Sequence, residues 1–387
     1  MIRWLTALLC WLAAACGGER AAAPTYHPET SPDRLSEWGM VHRRGGALVL
    51  GDGVRPYDLA TPLFSDYALK LRTVWLPEGR AAAYRADEAF AFPVGTVITK
   101  TFYYPLADPS RTGEVLATKE ATDEARDVAM GAGALADGLP LDALRLVETR
   151  ILVRREAGWD ALPYIWNEAQ SDAVLARAGA LTPMTIVRPG GERETFHYAV
   201  PNANQCAGCH ATDSSSKAIR PIGLKARHLN KASAFAPGAN QLDDWRDAGL
   251  LEGGPNARAA PRNADWTDAA APLAARARAY LDINCSHCHS PYGPADTSGL
   301  NLKPDASGPA LGVCKPPIAA GRGSGGRPYA VVPGRPDASI TLFRMETTDP
   351  GAMMPELGRA LVHDEGAALI AEWIASMDAP AKGGCAA

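Results

Sequence analysis

A chain of 387 residues with 39 Lys and Arg against 43 Asp and Glu has a formal charge of −4, which removes any electrostatic case for a nucleic-acid binder or a protein drawn to anionic lipid. Hydrophobic residues at 47% and charged residues at 21% exclude wholesale disorder, and the length leaves room for two or three cores. The 37 Gly and 31 Pro predict a loop-rich body, while 8 Cys are too few for a disulfide-stapled scaffold.

In chain order, residues 1–15 come first. Arg3 precedes an apolar run over 4–12 that is too short to span a bilayer, and small residues follow, the pattern of a secretory signal. They end in Leu12-Ala13-Ala14-Ala15-Cys16, which resembles the lipobox of bacterial lipoproteins. That makes Cys16 the expected lipidated first residue of an exported chain, in the periplasm or at the outer membrane. Plain secretion is the alternative, because Ala13 stands where Leu is more usual. From Cys16 to residue 33 the chain is small, polar and Pro-broken, which predicts a flexible tether.

Residues 34–200 read as a mostly β domain. The stretch 90–104 is rich in β-branched and aromatic residues, and 144–155 alternates apolar and charged positions as half-buried strands do. An Ala-rich segment near 115–137 and the stretch 167–179 are the helical candidates. The aromatic clusters Leu63-Phe64-Ser65-Asp66-Tyr67 and 159–167 read as core or as the floor of a ligand or partner site.

The chemistry begins at Cys206-Ala207-Gly208-Cys209-His210 and recurs 79 residues later at Cys285-Ser286-His287-Cys288-His289. Cys-x-x-Cys-His is the attachment sequence of c-type haem: two thiols at i and i+3 meet the porphyrin vinyl groups as thioethers, and the following His ligates the iron. Two covalently bound haem c groups are therefore expected, with His210 and His289 as iron ligands. A zinc site is the weaker reading, since paired Cys-x-x-Cys knuckles need no His directly after each pair. A thioredoxin-like pair wants one such motif rather than two.

Residues 201–265 form the expected first haem segment and 266–387 a second unit. Residues 270–283 and 364–377 carry helical apolar faces, and between them lies Gly351-Ala352-Met353-Met354-Pro355. The order helix, Cys-x-x-Cys-His, loop, Met-Pro, helix resembles a class I cytochrome c domain, with Met354, 65 residues beyond His289, as the sixth ligand and Met353 as its substitute. The architecture expected from the sequence is thus multidomain, a mostly β N-terminal domain followed by an α-helical, cytochrome c-type haem region. Candidates for the sixth ligand of the first haem are His228, His197 and Met184, with an open position as the alternative. Arg220 and Arg227 are candidate propionate partners. In an oxidising compartment Cys314 and Cys385 either form a disulfide or leave Cys385 free in a flexible tail.

Leu63-Phe64-Ser65-Asp66-Tyr67-Ala68, Phe92-Pro93-Val94-Gly95-Thr96, Tyr164-Ile165-Trp166-Asn167 and Pro201-Asn202-Ala203-Asn204-Gln205-Cys206 resemble a family of predicted bacterial di-haem c-type cytochromes. In that family a β-rich N-terminal region precedes two haem motifs, and the genes often neighbour a parallel β-helix protein. The resemblance implies electron relay between redox partners outside the cytoplasm, and a parallel β-helix protein as one candidate partner. The alternative is a haem enzyme, such as a di-haem peroxidase, acting at an open first haem.

Overall fold

The computed structural model describes residues 22–117, 138–318, 320–378 and 385. The signal segment, Cys16 and most of the Ala-rich stretch lie outside the described residues. Among the described residues no helix is long and apolar enough to cross a membrane.

Fourteen strands are described: β1 (Val41–Arg44), β2 (Ala47–Leu50), β3 (Arg55–Tyr57), β4 (Leu69–Trp75), β5 (Ala82–Ala83), β6 (Val97–Pro105), β7 (Glu114–Leu116), β8 (Leu139–Pro140), β9 (Leu144–Arg155), β10 (Gly158–Trp166), β11 (Ala173–Leu175), β12 (Ala180–Val187), β13 (Arg193–Val200) and β14 (Leu251–Glu252). Six of them form the central antiparallel sheet in the order β11-β10-β9-β6-β4-β3. Smaller sheets, β1-β2-β8, β13-β12-β7 and β14-β5, flank it.

Period-two alternation gives the central sheet two different faces. Leu71, Val97, Ile151, Val153 and Leu162 point to one side and share a core with Trp38 and Met40. Hydroxyl pairs Thr73–Thr99 at 2.6 Å and Thr101–Thr149 at 2.8 Å zip neighbouring strands, satisfying polar atoms that burial would otherwise strand. On the other side Val74, Ile98 and Leu152 share a core with Ile222, Leu224, Trp245 and Ile283, so the chain beyond residue 200 is laid directly over the sheet.

Seven α-helices are described: α1 (Ala203–His210), α2 (Ala226–Leu229), α3 (Gln241–Asp247), α4 (Leu273–Cys285), α5 (Gly308–Leu311), α6 (Ile340–Glu346) and α7 (Asp364–Ala375). The longest, α4, has 13 residues, and strand residues exceed helical ones, 26% against 20%. The expected α-helical cytochrome c-type region is therefore corrected: the described chain is mostly β-sheet with short helices, and no helical cytochrome-like region is evident. Gly and Pro break the C-terminal part into turns, and β14 pairs in parallel with β5, tying that part to the sheets. The two longer helices still pack together, through Ala277, Tyr280 and Leu281 on α4 and Leu369, Ile370 and Trp373 on α7.

Two local expectations are also corrected. The stretch 167–179 forms a turn and β11 rather than a helix, its backbone being claimed by pairing with β10. Residues 22–33, read as tether, are pinned to the sheets, for example by Arg155 donating to the Thr30 carbonyl at 2.9 Å and Tyr164 donating to the Pro32 carbonyl at 2.8 Å. Cys314 and Cys385 are joined by a disulfide.

Candidate functional site

The first motif is carried by α1. Asn202 caps it, accepting from the Gln205 backbone N–H at 2.8 Å while the Gln205 side chain accepts from the Asn202 N–H at 2.9 Å. The helix sets Cys206 and Cys209 at i and i+3, on one face. His210 closes it, and its Nδ1 donates to the Arg220 carbonyl at 2.8 Å. A carbonyl only accepts, so the proton sits on Nδ1 and the lone pair on Nε2. Burial pushes the His210 pKa down to about 4, so the ring is neutral at pH 7.

The second motif repeats this logic with different parts. Cys285 ends α4, and the His289 backbone N–H donates to the Cys285 carbonyl at 2.8 Å. His289 Nδ1 lies 3.0 Å from the Ser298 hydroxyl, which spends its own proton on the Ala295 carbonyl at 2.7 Å. The hydroxyl oxygen must therefore accept from Nδ1–H, again leaving Nε2 as a free lone pair. Burial pushes His289 down to about 4 as well. Metal-ligating histidines are oriented in this way, one ring nitrogen tied and the other presented.

All four motif cysteines are free thiols. The two motifs touch: Cys288 Sγ lies 3.8 Å from the Gly208 carbonyl, and a hydrogen bond between the Cys209 and Cys288 thiols, helped by His287, holds the Cys209 thiol far below its ordinary range. Among the described residues no three His, Cys, Asp or Glu side chains gather where an ion could sit.

A cleft opens between α1 and the second face of the central sheet. Cys206, Cys209 and His210 line one side, and Ile98, Lys100, Arg72, Arg150 and Leu152 the other. Asn284 and His287 from the second motif, with Pro355, Leu357 and Gly358, complete it. Apolar walls with a few polar groups suit a large planar ligand, and thiols plus a presented imidazole suit c-type haem, so the residues fit that group. His287 is 6% exposed, and its Nδ1 is buried without a hydrogen-bond partner.

The sequence-predicted ligands fall in different places. His228 is buried and does not line the cleft. Asn263 Nδ2 donates toward its Nδ1 at 3.3 Å, which puts the ring proton on Nε2, 3.6 Å from Asp282. Both nitrogens thus have partners, Asn263 and Asp282. Asp282 in turn is held by Arg227 at 2.6 and 3.0 Å and by Ser286 Oγ at 2.8 Å, so this network buttresses the second motif. Arg227 is consequently committed to Asp282 rather than to a propionate. His197 is exposed on β13, and Met184 is buried in a separate core with Phe102 and Tyr198.

Met353 and Met354 are half-buried in a loop that Arg359 organises, donating to the carbonyls of Met354, Arg344, Thr347 and Leu361. Asp66 anchors the next turn by accepting from the Ala360 and Leu361 N–H groups at 2.7 and 2.8 Å. Leu357 reaches within 3.2 Å of where a Cβ on Gly208 would stand, so the Met354 loop runs past the first motif. No family model, curated protein or solved structure matches the chain.

Proposed function

We propose that the chain is an exported di-haem c-type cytochrome that relays electrons between redox partners in the periplasm or at the outer membrane. The observation that carries this reading is the pair of touching Cys-x-x-Cys-His motifs, each with a His whose Nδ1 is tied and whose Nε2 is free. Cys206, Cys209 and His210 would hold one haem, and Cys285, Cys288 and His289 the other. When bound, haem iron supplies one-electron chemistry. The chain's part is to fix both imidazoles as neutral donors, to set the attachment points side by side, and to keep water from the cleft with Ile98, Leu152 and Leu224.

Met354 would complete the second iron, and thioether ligation favours electron transfer by raising the potential. At the first iron, His287 is the donor the cleft offers, through its unpartnered Nδ1. The Cys314–Cys385 disulfide supports a compartment outside the cytoplasm, in keeping with lipidation at Cys16. A parallel β-helix protein is carried forward as a partner to test. Electron paramagnetic resonance with cyanide and peroxide titration tests the relay. Two low-spin haems inert to both ligands are expected; a high-spin haem that reacts with peroxide would replace the relay with a haem enzyme.

A further inference from the structure

The second face of the central sheet holds an arrangement that strand pairing ordinarily avoids. Arg72 on β4 stands directly opposite Lys100 on β6, and Lys100 stands directly opposite Arg150 on β9. Three cations thus lie side by side across three adjacent strands, where like charges destabilise the pairing. The outer two have counter-ions: Arg72 lies 3.4 Å from Asp58, and Arg150 makes a two-pronged pair with Glu148 at 2.5 and 2.8 Å. The middle one has none. Among the described residues Lys100 makes no hydrogen bond or ion pair, and its nearest support is the Phe102 ring, 5.0 Å from Nζ. All three line the cleft into which Cys206, Cys209 and His210 face.

We propose that Arg72, Lys100 and Arg150 form a carboxylate cradle for the propionates of the haem attached at Cys206 and Cys209, an inference that rests on the function proposed above. Thioether attachment fixes the vinyl edge of a porphyrin, and the propionates lie on the opposite edge. With the vinyl edge on α1, a ring lying across the cleft would bring its propionates to the cationic face of the sheet. Guanidinium groups and an ammonium are matched donors for carboxylates. The added negative charge supplies Lys100 with the counter-ion that Arg72 and Arg150 already have. The depressed pKa of Lys100, about 7 and caused by burial with Arg150 and Arg72 beside it, agrees with a group short of a negative partner.

The test uses the haem-loaded protein and the variants Lys100→Gln and Lys100→Arg, chosen because Lys100 holds no structural ion pair. Each haem is followed by spectroscopic redox titration, with haem content measured on the same samples. Removing a positive charge beside a haem favours its oxidised form, so Lys100→Gln should lower the potential of one haem and leave the other in place, while Lys100→Arg restores it. Two haems per chain with neither potential moved by Lys100→Gln would overturn the cradle, and so would a change of axial ligation in that variant. A wild-type chain lacking haem would overturn the functional reading instead. Should Lys100→Gln yield no folded protein, Lys100→Met, which removes the charge but keeps an apolar stem over Phe102, is titrated in its place with the same expected and overturning results.

Discussion

His289 Nδ1 donates to the Ser298 hydroxyl at 3.0 Å, and that hydroxyl has no proton to spare for a competing ring tautomer because its own is committed to the Ala295 carbonyl. His210 reaches the same tautomer through the Arg220 backbone carbonyl, which no side-chain change removes. Ser298→Ala should therefore act on one haem alone. On the proposed function, losing the Nδ1–H acceptor would make His289 a weaker electron donor to iron, so the potential of the haem at Cys285 and Cys288 should rise. A redox titration that shows both haems moving together, or neither, contradicts this asymmetry.

The two proposed sixth ligands differ in chemistry and so in spectrum. Met354→Ala should abolish a near-infrared sulfur-to-iron band and lower the potential of one haem. His287→Ala should leave that band intact and turn the other haem high-spin, open to cyanide. If Met354→Ala leaves the band, Met353 becomes the ligand to examine.

Acid lability follows from two buried histidines. Burial pushes His228 and His363 from 6.5 down to about 3. His363 is enclosed by stacking on Phe64 at 4.1 Å and by the Tyr280 hydroxyl at 2.8 Å. Between pH 6.5 and 3 the unfolded chain binds more protons at these sites, so stability is full above 6.5 and falls with pH, by about 1.4 kcal/mol per unit and group. Asp66 opposes them: burial raises its carboxyl to about 6 despite the Leu361 and Ala360 hydrogen bonds, so between about 6 and 4 it offsets one histidine. The urea midpoint should fall from pH 7 to pH 5, and fall less in His363→Phe. An equal fall in both proteins removes His363 from the account.

The Cys314–Cys385 disulfide closes a loop with a sequence separation of 71. Chain entropy assigns such a loop a stabilisation of about 4 kcal/mol, and measured bridges give about 2–4. Cys314→Ser combined with Cys385→Ser should lower the unfolding free energy by about that amount in guanidinium titration while both haems stay attached. Loss of haem from this variant would mean that the bridge guides attachment.

Much of the fold was legible where a single segment determines its own shape. The alternation over 144–155 coincides with β9, and the apolar face over 364–377 with α7. The two Cys-x-x-Cys-His motifs were equally plain, because each is a run of five adjacent residues. The larger architecture was not. The helical faces at 270–283 and 364–377 suggested a separate helical unit, yet Ile283 and the residues around Ile222 are buried against the sheet, which periodicity does not reveal. The cationic row was invisible for the same reason: Arg72, Lys100 and Arg150 are distant in sequence and meet only through strand register. His228 drew attention as an isolated histidine, and the deep network around Asp282 that engages it is a tertiary property. His287 sits inside a motif whose variable positions carry no expected role, so its place in the cleft is visible only in the fold.

The central claim is that both motifs carry covalently attached haem. The most direct measurement is the intact mass of the purified holoprotein, combined with a pyridine haemochrome assay per chain. The account predicts two c-type haems, falling to one in Cys206→Ser/Cys209→Ser and to one in Cys285→Ser/Cys288→Ser. A mature chain with no covalent haem, or with one haem that survives either double substitution, would contradict it.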